Sequence, residues 1–183
     1  MRIQNLQTAT SVILDTANET DMDEKMSEVL RQCAEYLDAE QGSIVVFQAP
    51  GKPGATVFEW CSRSMEQIKK VHTTAEGFVL WANEQMTKSS GILMKDIDSL
   101  PEEASQRQWI GNHGIRSILM MPLVNKDTLI GVWGFFTYKN ERSWNTQHQN
   151  ALKLIGKRLT DIYLNIEAEK KLIRIAYYDS LTG

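Results

Sequence analysis

Only two cysteines, Cys33 and Cys61, occur in 183 residues. They are too few and too far apart for a CxxC motif, a thiolate zinc site or a disulfide framework, and both read as reduced thiols. Long apolar runs are also missing. None approaches the roughly 20 residues that span a bilayer, and the amino-terminal MRIQNLQTATSVILD has neither the apolar core nor the cleavage site of a secretory leader. A cytoplasmic chain without a membrane partner is expected. Charge of one sign is not in excess either. Twenty Lys and Arg stand against 23 Asp and Glu, for a net charge of -3, which leaves no global electrostatic pull toward nucleic acid, a partner that usually announces itself as a clustered basic face. The sequence holds no GxSxG, and His72, His113 and His148 are scattered without ligand spacing. No catalytic residue and no metal site is therefore expected in this chain.

The apolar spacing that is present predicts ten elements. Ile3, Leu6, Ile13 and Ala17 mark a first helix whose narrow stripe is interrupted at Thr10. A second helix, capped at Asp21 or Asp23, runs to Leu37 with Met26, Val29, Leu30, Cys33 and Leu37 on one face, which puts Cys33 in the core. SIVVFQA and TVFEWCS flank PGKPG as a hairpin, and EGFVLWANEQM returns to helical spacing. GILMKDID reads as a short strand, followed by a helical turn from Pro101 through Trp109. IRSILMMPLV and LIGVWGFFTY, joined by NKDT, are the clearest strand pair in the chain and its centre. The fold class expected is α+β. An antiparallel sheet of about five or six strands carries helices on one face and ends in a long carboxyl-terminal helix.

That last helix is predicted from Asn145 to about Ile175, with Gly156 tolerated inside it. About 30 residues give roughly 45 Å, more than one core covers, so the helix must project. Leu152, Ile155, Leu159, Ile162, Ile166, Ile173 and Ala176 follow a 3-4 repeat broken only at Glu169. This stripe suits a parallel coiled coil between two copies, and equally suits a helix packed on its own sheet. A homodimer is expected, with the carboxyl half the better seam.

The element order, with Gly114, Ser117, Pro122, Leu123, Ile130, Gly131 and Val132 at the positions of a Gly-x-x-Ser strand, a Pro-Leu and an Ile-Gly-Val strand, resembles the GAF domain over about residues 20 to 165. AYYDSLTG, residues 176–183, resembles the opening segment of the GGDEF domain of diguanylate cyclases, matched at Ala176, Asp179, Leu181, Thr182 and Gly183. The resemblance implies four segments: an amino-terminal helix (1–18), a GAF-like sensor (19–165), a signalling helix (166–178) and the first residues of a GGDEF domain (179–183). It also implies a regulatory function. A small molecule bound to the sensor would set the dimer geometry of a GGDEF partner domain, which uses GTP and magnesium to make cyclic di-GMP. The alternative is a ligand-free dimerisation module of the same enzyme.

Within the resembled fold the ligand would sit on the sheet face away from the terminal helices, between segments carrying Trp60, Phe78, Trp81 and Trp109, with Asp96 and Asp98 nearby. The ligand itself is unknown. A covalent bilin is not expected, since Cys33-Ala34 and Cys61-Ser62 lack the histidine that commonly follows the attachment cysteine. Cyclic nucleotides are not expected either, because Tyr138-Lys139 and Gln147-His148 stand where the cyclic-nucleotide signature would be.

Overall fold

The computed structural model describes residues 3–48, 55–63, 76–89, 91–96, 98 and 105–182, with the side chains at 76–78, 105, 106, 108, 109 and 179–182 left aside. The ten elements fall in the expected order: α1 (Ile3–Asp15), α2 (Met22–Leu37), β1 (Gln41–Phe47), β2 (Ala55–Cys61), α3 (Glu76–Lys88), β3 (Ile92–Met94), α4 (Ser105–Asn112), β4 (Ser117–Asn125), β5 (Thr128–Thr137) and α5 (Thr146–Thr182). The strands form one five-stranded sheet in the order β2-β1-β5-β4-β3, and every pairing is antiparallel. The PGKPG segment between β1 and β2 and the stretch from Pro101 to residue 104 lie outside the described residues.

Period-2 alternation divides the strands between two apolar layers. Ile44, Val46, Leu119, Met121, Leu123, Trp133 and Phe135 pack with α1, α2 and α5, while Val45, Ile118, Met120, Val132 and Phe136 pack with α3 and α4. The long helices thus share one face as expected, and the two shorter helices cover the other. Gly131 lets β5 approach β1 closely, because a Cβ there would stand 2.3 Å from the carbonyl oxygen of Val45. Lys126, at φ 55°, turns the chain from β4 into β5.

Local polar chemistry sets the helix ends. Thr10, expected to interrupt the α1 stripe, is buried within it, and its hydroxyl donates to the Leu6 carbonyl at 2.9 Å. Asp21 stands at the N-cap of α2 but makes no side-chain cap bond. Its carboxylate instead accepts from the backbone and side-chain N–H groups of Asn18, at 2.7 and 3.1 Å. Asp38 closes α2 in the left-handed conformation and pairs with Arg142. Trp144 follows, buried, with its indole N–H donating to the Leu37 carbonyl at 3.0 Å, so the chain entering α5 is anchored on the end of α2.

α5 spans 37 residues without a break, about 55 Å at 1.5 Å per residue. It runs through the expected boundaries at 165/166 and 178/179. Its first half is core: Leu152, Ile155, Leu159, Tyr163 and Ile166 are all buried. Beyond Ile166 the side chains at 168, 169 and 171–178 are exposed.

Candidate functional site

On the sheet face covered by α3 and α4, β1 places two polar side chains beneath an apolar layer. Gln41 is fully buried, and its Oε1 accepts a hydrogen bond from the Tyr138 hydroxyl. The Tyr138 backbone N–H in turn donates to the Glu40 carboxylate at 2.8 Å. Two residues on, Ser43 is 2 % exposed, and its Oγ has no hydrogen-bond partner among the described residues. An unpaired buried hydroxyl costs free energy unless something accepts from it or donates to it.

The register shows what surrounds that hydroxyl. Ser43 lies between Glu59 of β2 and Gly134 of β5, and Gly134 faces Met120 of β4. A Cβ on Gly134 would come within 3.1 Å of both Met120 Cγ and the Leu119 carbonyl oxygen, so the methionine and the β4 backbone together fill the space that the glycine leaves open. Val79, Ala82 and Met86 of α3 close the layer from above.

Of the residues the sequence marks for a ligand, Trp81 is half-buried and packs against this layer. Trp60 does not. It alternates with Phe58 along β2, and both belong to the layer under α1, α2 and α5. The expectation that Trp60 lines the α3 side is therefore corrected. Phe58 and Trp60 form one alternating set of β2 and Glu59 and Cys61 the other, and the strand's pattern alone does not say which set faces α3. Trp60 instead borders a cavity of about 510 Å³ with Arg31, Glu35, Asp38, Ser62 and Arg63. Phe78 and Trp109 sit on α3 and α4, but their side chains lie outside the described residues. Asp96 is half-buried just after β3, and Asp98 pairs with Arg107 of α4 at 2.6 Å. Sequence reasoning missed Gln41, Ser43 and Tyr138. The available signal was the pair of polar residues two apart in an otherwise apolar strand, QGSIVVF.

The seam residues also need correction. Leu152, Ile155, Leu159 and Ile166 are 0, 4, 1 and 5 % exposed within this one chain, and Ile162 packs half-buried against the same layer. The four buried side chains are not available to a second copy. Ile173, at 64 % exposed, is available, beside Leu172, Ile175, Tyr177 and Tyr178.

Electrostatics on the helical side are local. Arg31 bridges Glu28 and Glu35 at 2.6 Å each. Hydrogen bonding to Glu28 and then Glu35 raises the guanidinium above its ordinary range, and the Arg31 contact lowers Glu28. Burial pushes the Cys33 thiol far up, which keeps it protonated and inert as a core residue. Among the described residues no cluster of His, Cys, Asp or Glu suits a metal ion, and no helix is long and apolar enough to cross a membrane.

Known proteins resemble this chain in fold. The family model for the GAF domain matches residues 19–162. The phycocyanobilin-bound GAF domain of a cyanobacterial phytochrome superposes with a TM-score of 0.72 at 12% identity, covering 92% of this chain and 97% of that one. The phycoerythrobilin-bound GAF domain of a cyanobacterial phytochrome gives 0.73 at 12%, covering 93% and 98%. The photosensory core module of a Stigmatella aurantiaca phytochrome gives 0.73 at 14% over 97% of this chain and 39% of that one. No curated protein matches in sequence.

Proposed function

The chain belongs to the GAF domain family, and on that premise we propose that it is a cytoplasmic small-molecule sensor controlling a diguanylate cyclase output. The ligand occupies the sheet face beneath α3, and two copies pair through the exposed part of α5. The output is a GGDEF domain of the kind that AYYDSLTG resembles, with GTP and magnesium belonging to that domain.

The observation that carries the reading is the continuity of α5. One uninterrupted helix begins in the core, with Leu152 and Ile155 buried against the sheet, and ends in the GGDEF-like segment. A ligand that shifts the sheet and helix packing therefore has a rigid element through which to bias the pairing of two outputs, provided it binds the two arrangements unequally. Bilin-bound proteins of the same fold support a small molecule as the ligand. A covalent bilin is not favoured here: Cys33 is buried under the helices, and Cys61 ends β2 followed by Ser62.

Native mass spectrometry of the freshly purified chain tests stoichiometry and retained ligand together. A dimer carrying a bound small molecule is expected. A thermal-shift screen follows, in which Trp81→Ala should abolish the ligand-induced rise in melting temperature and leave the dimer intact. A dimer with no ligand in either experiment would favour the ligand-free dimerisation module. A hit indifferent to Trp81→Ala would place the ligand elsewhere.

A further inference from the structure

This inference rests on the small-molecule reading above and names the chemistry of the ligand. We infer that the α3 face of the sheet is a methionine-plugged site for an uncharged aromatic molecule that offers one hydrogen-bonding group to Ser43.

Three features of the face converge on this. Ser43 Oγ is unpaired among the described residues in a position 2 % exposed, and alternation with Val45 directs it to the α3 side. Beside it Gly134 supplies no side chain, and the space is held by Met120 and the β4 backbone. Met120 is one of three methionines buried in this layer: Met86 on α3, Met94 on β3 and Met120 on β4 are 6, 2 and 1 % exposed. An unbranched thioether has three rotatable bonds and favourable contacts with aromatic rings, so it vacates volume and re-packs against a planar guest more readily than a branched side chain. Gly134 and Met120, next to Ser43 in the same row of the sheet, thus mark where a flexible side chain of this layer can give way.

Charge narrows the guest further. The described side chains that form this layer are apolar, so a carboxylate or phosphate set among them would be desolvated with no counter-charge from the layer itself. Glu59, at the β2 end of the Ser43 row, adds to that penalty and already has a polar interaction of its own. Ser43 remains as the group in want of a partner, and one donor or acceptor on an otherwise apolar ring satisfies it.

The test uses the whole chain labelled at its methionine methyl carbons. It is titrated with indole, with indene as the counterpart lacking the N–H, and with indole-3-carboxylate. Indole should move the Met86, Met94 and Met120 methyl resonances saturably while Met26, on the other face, stays in place. Indole should bind at least about tenfold tighter than the carboxylate, one decade of affinity being the least expected for an unpaired buried charge. Ser43→Ala should lower the affinity for indole to that for indene and leave indene unchanged. Saturable binding that spares the three methionines, an unaltered indole to indene ratio in Ser43→Ala, or equal binding of the carboxylate would each overturn the inference. A thermal shift with some other metabolite while the three methyls stay in place would sink this site and leave the sensor reading standing. No response to the probes or to a metabolite panel would sink both.

Discussion

The indole nitrogen of Trp133 lies against Gly156 so closely that a Cβ on the glycine would stand 2.8 Å from Nε1. Trp133 is fully buried in β5, and Gly156 lies in the buried half of α5. In an isolated helix Gly156→Ala would gain about 1 kcal/mol of propensity. Here the new methyl meets a fixed ring, and overpacking of that kind costs about 1–3 kcal/mol. A net loss of stability in urea unfolding is expected, and a gain would show that α5 sits more loosely on the sheet than this contact implies.

α5 begins with a reciprocal cap. The Asn145 N–H donates to His148 Nδ1 at 3.1 Å, and the His148 N–H donates to Asn145 Oδ1 at 3.0 Å. Burial lowers the imidazole below its ordinary value of 6.5, and its ring sits edge-on to Tyr36 at 5.4 Å. A group with a depressed folded value stabilises the fold above its unfolded value, and that contribution fades as pH falls below about 6.5. The melting temperature should therefore drop between pH 7.5 and 5.5 by more in the native chain than in His148→Gln. Equal drops would remove His148 from the account.

Ile166→Glu and Ile173→Glu should behave differently although both occupy the same 3-4 stripe. Ile166 is 5 % exposed and Ile173 64 %. An unpaired charge at the first costs about 3–5 kcal/mol and lowers the melting temperature at any concentration. At the second, thermal stability of the isolated chain should hold while sedimentation reports weaker self-association. If both variants melt alike, the exposed end of α5 is covered by something in the folded chain.

Tyr138→Phe removes the donor to Gln41 Oε1 at a fully buried position. Leaving that oxygen short of a bond costs about 1–3 kcal/mol. Chemical denaturation should show the loss, and the companion Gln41→Leu in the Phe background should restore much of it. Failure of that rescue would indicate that the pair does more than satisfy each other.

The two parts of the problem differed in legibility. Element order and the antiparallel sheet followed from local signals: β-branched runs in β1 and β5, the NKDT turn, the helical spacing of α2. The occupants of each face did not. A 3-4 stripe such as Leu152 to Ile166 serves a coiled coil and an intrachain packing surface equally well, and only the three-dimensional layer under α1 and α2 decides between them. Trp60 was misplaced for a related reason: it shares one face of β2 with Phe58 while Glu59 and Cys61 take the other, and the strand alone does not say which face meets α3. Ser43 was passed over because two polar residues at one end of an apolar strand do not mark a site until a buried oxygen is found without a partner among the described residues.

The unbroken course of α5 past Ile166 imposes a rule of phase. Each residue of an α-helix turns the next by about 100°, so one residue inserted near Lys171 would swing Ile173, Tyr177 and Asp179 about 100° around the axis while lifting them only about 1.5 Å. Seven inserted residues would return them to within about 20° of where they began. In this region the helix transmits angle far more sensitively than distance. Changes in its length are tolerated in sevens, and a single residue is enough to turn whatever the helix holds to face the wrong way.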